Sequence, residues 1–469
     1  MKKLIVSAGL VAAGVASVDS VFGDGLDIIS PKSWSVSGNL RGFYDDNYNI
    51  APGKKGSFGA EVSPSISYNL PTQQSDMGIR YTYGLYYYQD RQDLGLNPFD
   101  QTHQADLWLD HAFNERWHLN FTDTFGSGQE PELISGPNAA NPGAGGTLFR
   151  VNGNNIGNHA KISLDTQWTP LFGTSLHYGN DFYDYDNHGS SLLPLASDPT
   201  AQKMPASTPF TSLGWQQLGP TGASLAGLLN RVDQNVGLDF NWTLSPTTKI
   251  IAGASVDLTT YTGGEDIAVF NFYTIPAGTP VPENLVYTSA SRNSVSPSLY
   301  VGLNSQLTQN LSLQGTVGAL YTDSYNDPLN ATTSWSPTAN ISLTYTYNSG
   351  SYAQLGISQG ENSTYISALS ANGSLTQYQY STTVFAAINQ RIFEKFMASV
   401  IGRYIYSTYQ GGAFSSEADN YFGLGVNLSY QISRHFSAEI GYNYDDLQSN
   451  IPGNGYNRNR AYIGLGANY

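Results

Sequence analysis

Residues Ser57 to Leu70 read SFGAEVSPSISYNL, and this stretch decides the fold. Apolar or aromatic side chains occupy every even position from Phe58 to Leu70, and the odd positions carry glycine, serine, asparagine or glutamate. Successive side chains of a β-strand point to opposite faces of its sheet. The stretch therefore predicts a strand with one apolar face and one small or polar face.

The same alternation recurs along the chain from Trp34 onwards, without sustained helical periodicity. It predicts about 18 strands of roughly 9–14 residues, the length that crosses the hydrocarbon of a membrane at a tilt. Their approximate spans are 34–45, 57–70, 77–88, 102–113, 117–126, 159–169, 174–185, 230–244, 249–261, 293–307, 311–323, 333–347, 351–360, 379–392, 396–409, 418–432, 436–446 and 458–469.

The connections between these strands alternate between short and long. The short ones include 114–116 and 433–435, whereas 127–158, 186–229 and 262–292 are long and rich in glycine, proline and asparagine. A membrane barrel keeps tight periplasmic turns at one end and longer loops outside, and a soluble sandwich has no reason to do so. The sequence thus predicts an all-β fold, a transmembrane antiparallel up-and-down β-barrel over 34–469, with these three long connections as extracellular loops.

Aromatic residues on the apolar face collect near both ends of the predicted strands. Tyr68 and Trp168 lie next to short turns, and Tyr44 and Tyr444 lie near long connections. Two such belts are typical of the interfacial girdles of a membrane barrel.

The first residues indicate export. Met1-Lys2-Lys3 is basic and Leu4 to Val18 is apolar, so the sequence predicts a signal peptide over 1–23, cleaved before Asp24. Cleavage after Ala16 is the alternative, and a retained anchor would need an apolar span of about 20 residues. Residues 24–33 would then form a short periplasmic segment.

The composition excludes several classes of function. With no cysteine, the chain has no disulfide, thiolate zinc site or thiol nucleophile. Its net charge of -15 comes without a basic stripe, so nucleic acid is not an expected partner. Charged residues are only 12% of the chain and aromatics reach 13%, which suits a protein with one face in lipid.

No motif indicates catalysis. The seven histidines lack ligand spacing, and the run from Asp184 to Gly189 departs from a calcium loop. We therefore predict no catalytic residue, no metal, no cofactor and no enzymatic activity.

Two features of the sequence resemble those of a known family. They are the signal segment and the terminal alternation of Ala461, Ile463, Leu465, Ala467 and Tyr469. Over its whole mature length the chain resembles the porin-type outer-membrane proteins of Gram-negative bacteria. The resemblance implies contact with outer-membrane lipid and insertion by the barrel-assembly machinery. Ile463, Leu465, Ala467 and Tyr469 would be the terminal signal that this machinery reads.

The polar face is predicted to line a pore, because barrels of about 16–18 strands leave an aqueous channel. The charged residues assigned to it are Arg41, Glu61, Arg80, Asp106, Lys161, Asp165, Asp239, Asp257, Arg403, Glu439 and Arg460. Its acidic balance predicts a weak cation preference.

A constriction is expected from 127–158, which follows the fifth strand, as the constriction loop does in the porins this chain resembles. Its Glu130 and Glu132 would face a basic sector of Arg41, Arg403 and Arg460 across the pore. Alternatively, the two carboxylates lie on the outer surface and the arginines pair with acidic residues along the wall.

These observations predict a channel for passive diffusion of small hydrophilic solutes. The channel is formed by a single chain or by a homo-oligomer. The alternative is a surface adhesin, receptor or structural barrel that acts through its loops.

Overall fold

One closed antiparallel sheet of eighteen strands makes up most of the computed structural model, which describes residues 33–93, 95–128, 154–189, 223–270, 285–329, 332–370 and 373–469. The strands are β1 (Trp34–Asp45), β2 (Ser57–Pro71), β3 (Ser75–Tyr88), β4 (Phe99–Ala112), β5 (Trp117–Gly128), β6 (Asn155–Thr169), β7 (Phe172–Tyr185), β8 (Arg231–Ser245), β9 (Thr248–Tyr261), β12 (Ser294–Thr308), β13 (Leu311–Ser324), β14 (Thr332–Asn348), β15 (Ser351–Asn362), β16 (Tyr378–Phe393), β17 (Phe396–Gln410), β18 (Ala418–Gln431), β19 (Phe436–Ser449) and β20 (Tyr456–Asn468). The predicted barrel is confirmed.

Five short elements lie outside the barrel wall in the described residues. Strands β10 (Asp266–Phe270) and β11 (Leu285–Thr288) form a hairpin inside the connection 262–292, which the sequence patterns had not resolved into strands. Helices α1 (Gln89–Asp93) and α2 (Leu225–Leu229) are one turn long, and a 3₁₀ turn covers Ser289–Arg292. Within the described ranges, none of the helices is long and apolar enough to cross a membrane.

The sheet closes where the last strand meets the first. Strand β1 pairs with both β2 and β20, and its register with β20 runs from Ser37 opposite Asn468 to Asp45 opposite Arg460. The terminal residue extends this seam, because the backbone N–H of Tyr469 donates to the Val36 carbonyl at 2.8 Å. The Trp34 and Tyr469 rings lie 5.7 Å apart on the outside.

The two faces of the wall are those that the alternation predicts. On β2, outward Phe58 and Ile66 are 63% and 53% exposed, whereas Glu61 is 3% exposed. Such a pattern fits a wall with hydrocarbon outside and a polar lumen inside.

The barrel has a turn end, with the short connections, the start of β1 and the end of β20, and a loop end, with the long connections. Parts of the latter lie outside the described residues, as do the predicted signal peptide 1–23 and all of 24–33 except residue 33.

The assignment of the faces can be tested on β13 by introducing a charge. Val317 is exposed on the outer face, and Gln314 is exposed on the inner face three residues away. Val317→Arg should lower the free energy of unfolding by about 2–4 kcal/mol, because it moves a guanidinium into hydrocarbon. Gln314→Arg, its control, should change little. Equal losses for the two variants, measured by denaturant titration in liposomes, would contradict the assignment.

Candidate functional site: the barrel lumen

The lumen wall beside the seam carries a buried ion-pair network centred on Arg41. Arg41 Nη1 donates to Glu61 Oε1 at 3.3 Å on the neighbouring strand β2. Its Nε donates to Glu439 Oε1 at 2.6 Å on β19, which is two strands away. These contacts therefore join β2, β1 and β19 across the closure of the barrel.

Gly464 on β20 makes the contact between Arg41 and Glu439 possible, because that contact has to reach over β20. It lies between Arg41 and Glu439 in the register of the sheet. A Cβ atom at this position would lie 2.8 Å from Arg41 Cγ and 2.9 Å from Glu439 Oε1. Only glycine leaves the arginine room to cross the strand.

Arg460 joins the same network from β20. Its Nη2 lies 3.6 Å from Glu61 Oε2, and its guanidinium stacks 4.1 Å from the centroid of the Phe43 ring. For Arg41 and Arg460 the structure thus shows pairing along the wall, the second of the two interpretations. Arg403 faces the lumen from β17, opposite Phe385 and Gly423 on the neighbouring strands.

Arg80 and Asp106 form a second ion pair on the wall next to β2. They face each other directly on β3 and β4, with Arg80 Nε 3.0 Å from Asp106 Oδ2. Gln104 and Thr124 also donate to this carboxylate, at 3.0 and 3.2 Å. The sequence placed both charged residues on the inner face but gave no pairing.

A different wall, formed by β6–β9, carries five inward carboxylates on four adjacent strands. We call it the acidic sector, and it comprises Asp165, Asp181, Asp233, Asp239 and Asp257. Four of these have a hydrogen-bond or ion-pair partner: Asp239 with Tyr300 at 2.5 Å, Asp257 with Asn235 at 2.6 Å, Asp233 with Arg231 at 2.8 Å and Asp181 with His159 at 3.0 Å. Lys161 and Asp165 are exposed within the lumen.

The wall formed by β12–β15 is polar without charge. Its inward, even-numbered positions in the described residues carry serine, threonine, asparagine, glutamine, glycine, tyrosine and one leucine, and no Asp, Glu, Lys or Arg. Their hydroxyls bond to one another, as in the 3.0 Å contact of Ser296 Oγ with Thr322 Oγ1. The lumen is therefore electrically asymmetric.

At the loop end, chain from the long connections packs inside the mouth on one side. Tyr183 and Tyr185 point inward from β7 and are buried. They share an apolar cluster with residues of α2, the β10–β11 hairpin and the connection after β15, namely Leu228, Leu229, Ile267, Ala268, Tyr287 and Leu375. Because the two tyrosines face the lumen, the residues packed on them lie within its mouth.

A second cluster holds the same connection on the opposite wall. Inward Tyr409 on β17 packs with Ile366, Ala368, Phe414 and Ile451. Strands β7 and β17 are eight strands apart in the ring of eighteen, so they lie almost opposite each other. Tyr365 contacts both clusters. Residues 363–370 and 373–377 thus reach across the mouth, and with α2 and strands β10 and β11 we call them the mouth cap.

Arg292 fastens the parts of the mouth cap together. Its side chain is buried, and the guanidinium donates to the carbonyl of Thr364 at 2.7 Å and to that of Ile366. Burial lowers the pKa of this guanidinium from its usual value. Ser367 Oγ donates to the Ile267 carbonyl at 2.9 Å, so 363–377 and the hairpin are joined at several points.

The cap enters the mouth because the loop end of the β15–β16 hairpin leaves the wall. Backbone pairing of β14 with β15 stops at Ala339 opposite Gln359, although both strands continue. Beyond that point Glu361, which has outward parity on β15, accepts hydrogen bonds from the inward hydroxyls of Thr322 and Ser336 at 2.6 and 2.5 Å. The tip of the hairpin therefore lies behind β14, on its lumen side.

The predicted constriction loop 127–158 cannot be compared with this cap. Glu130 and Glu132 lie outside the described residues, and their role stays a prediction. The sequence patterns leave 361–378 only as the unassigned segment between the predicted strands 351–360 and 379–392. Its signal was the presence of Ile366, Leu369 and Leu375 in a loop, since such side chains need a surface on which to pack.

Within the described ranges, no group of three or more histidine and carboxylate side chains is arranged to hold a metal ion. The candidate site is the barrel lumen itself, a passage lined by charged and hydroxyl groups.

The Arg41 network should be a large stabilising element. Arg41→Gln leaves Glu61 and Glu439 buried without their shared cation, so the free energy of unfolding should fall by about 3–5 kcal/mol. Lys161→Gln removes a cation that is exposed in the lumen and should change it by less than about 1 kcal/mol. Denaturant titrations of the folded barrel in micelles would measure both. Similar stabilities for the two variants would show that the network contributes little.

Comparison with known proteins gives a family match for the second half of the chain. Residues 238–469, from the middle of β8 to the end, match the family model described as "Putative beta-barrel porin 2". Among curated proteins, no sequence matches.

Several solved structures are similar to the chain at low identity. OccK9 (OpdG) of Pseudomonas aeruginosa is 10% identical with a TM-score of 0.44, over 93% of this chain and 98% of that one. OccAB3 of Acinetobacter baumannii is 10% identical with a TM-score of 0.43, over 93% and 99%. A mutant ferric enterobactin receptor (PfeA) of P. aeruginosa is 10% identical with a TM-score of 0.41, over 92% and 80%. Scores of this size carry no argument about cargo.

Proposed function

We propose that this chain, a porin-type β-barrel of the bacterial outer membrane, is a channel for passive diffusion of small hydrophilic solutes. The observation that carries the proposal is the exposure of inward side chains within the strands. Lys161 on β6 and Gln314 on β13 point into the lumen and are nevertheless exposed. A lumen that leaves such groups open to solvent holds water, as large barrels do.

The distribution of charge supports a weak preference for cations. Arg41, Arg80 and Arg460 are each paired with a carboxylate, so their charge is largely compensated. The acidic sector has fewer cations, with Asp165 exposed to the passage. Charges on a low-dielectric wall focus the field in the channel, which raises the local concentration of the opposite ion.

The mouth cap is the proposed narrowest part of the passage. It reaches from the wall at Tyr183 to that at Tyr409, and solutes would pass beside it. The solute is then selected by the gap between the cap and the wall, and by the charged and hydroxyl walls below.

The proposal includes the route of insertion. Ile463, Leu465, Ala467 and Tyr469 lie on the outward face of the final residues, all exposed. An alternating, exposed terminal strand is available to the barrel-assembly machinery until closure with β1 pairs its edge.

Reversal potentials across planar bilayers test the cation preference. Asp165→Asn should reduce the cation-to-anion permeability ratio at low salt. It should have little effect at 1 M, where the Debye length is about 3 Å. Glu115→Gln removes a carboxylate from a short turn outside the lumen and serves as the matched control. A ratio that Asp165→Asn leaves unchanged at low salt would contradict the preference.

Single-channel conductance tests the channel and its cap. Replacing residues 364–376 by a short Gly-Ser linker should increase conductance severalfold, because it removes the chain that crosses the mouth. Arg292→Gln, a milder change that breaks the contacts with Thr364 and Ile366, should increase conductance or cause frequent fluctuations between levels. A correctly folded barrel that stays silent in all three forms would contradict the channel, and would favour a role as adhesin, receptor or structural barrel.

A further inference from the structure

The outward face of β5–β8 carries a polar patch within the apolar band of the wall. Its members are Asp123, Asn158, Asn180 and Gln234, one on each of the four strands, and we call them the amide patch. Their outward orientation follows from the register. Asp123 is opposite Leu107 on β4, whose side chain is exposed to the outside, while the next residue, Thr124, bonds to Asp106 in the lumen.

The patch is continuous across the sheet. Asp123, Ala160, Asn180 and Gln234 are consecutive partners in the register, so they form one row over four strands. Asn158 Nδ2 donates to Asp123 Oδ1 at 2.7 Å, and Gln234 Nε2 donates to the Tyr178 hydroxyl at 3.3 Å. The row has a carboxylate at one end and an amide at the other.

Asp123 lies within the apolar band and not at its edge. Its outward neighbours on β5 are Phe121 and Phe125, and it lies six residues from Trp117, a ring at the turn end. On β18 the corresponding position, six residues from Tyr430, is Leu424. Other carboxylates with outward parity, Asp184, Asp323 and Asp446, occur in the last four residues of their strands at the loop end.

A carboxylate and three amides facing hydrocarbon are costly, and polar groups in membranes face a protein interior, water or a partner. We propose that the amide patch is the interface with a second copy of this chain, about a two-fold axis normal to the membrane. Such an axis reverses the order of the row, so Gln234 of one copy faces Asp123 of the other. Since amides both donate and accept hydrogen bonds, the patch is self-complementary, as a two-fold interface requires.

Cysteine cross-linking tests the interface directly, because the native chain has no cysteine. Ala160 lies in the middle of the row, close to the proposed axis, so Ala160→Cys should form disulfide-linked dimers in native outer membranes on mild oxidation. Val426→Cys places the thiol on the outward face of β18, on the far side of the barrel, and is the matched control. Equal cross-linking of both variants, or of neither, would overturn the proposal, as would cross-linking of Ala160→Cys to a different protein alone.

The oligomeric state of patch variants gives a second test. Asp123→Leu combined with Gln234→Leu should convert dimers into monomers that keep the heat-modifiable mobility of a folded barrel. Asp123→Asn keeps a hydrogen-bonding group at the same place and should remain dimeric. A wild-type chain that is monomeric by mass in lipid nanodiscs would overturn the proposal. Both tests read association and not conductance, so their outcome is independent of the proposed channel.

Discussion

Every backbone N–H and C=O inside hydrocarbon has to find its partner within the protein, and the rest of this structure depends on that constraint. It requires β1 to meet β20, which closes the sheet. It also explains how the wall is arranged where β14 and β15 part. There the Pro337 carbonyl accepts a hydrogen bond from the Tyr380 hydroxyl at 2.6 Å, so a side chain from β16 provides what the missing backbone pair would have given. The hairpin tip can leave the wall because side chains replace it.

Closure also determines which lumen charges meet. The alternation within each strand places Arg41, Gly464 and Glu439 on the inner face. Only the register of β1, β20 and β19 brings the three residues into one row. The glycine in the middle strand lets a guanidinium reach a carboxylate two strands away. The acidic sector and the hydroxyl wall lie elsewhere on the circumference, so the asymmetry of the lumen follows from the order of the strands.

The strands and their faces could be predicted because a period of two is local information, readable from a stretch such as Ser57 to Leu70. The contacts of the site could not, because they join residues far apart in sequence. Arg41 and Glu439 are 398 positions apart, and no local pattern gives their register. The mouth cap was missed for a related reason: Glu361 departs from the parity of its strand, and the path of 363–377 depends on the tyrosines of two opposite walls. The one local signal is the presence of the apolar residues Ile366, Leu369 and Leu375 in a polar connection, which indicates that this segment packs against other residues.

The seam has a consequence for the order of events during folding. Seventeen of the strand pairings join neighbours in the ring that follow one another along the chain, with one interruption by the β10–β11 hairpin. The eighteenth joins the two ends, and its ion pairs link residues about as distant as the chain allows: Arg458 and Asp45 are 413 positions apart. Bringing such distant segments together costs the most chain entropy and is slow. The meeting of the two ends is therefore the expected kinetic bottleneck, and a nascent chain that lacks its last fourteen residues has no means of passing it.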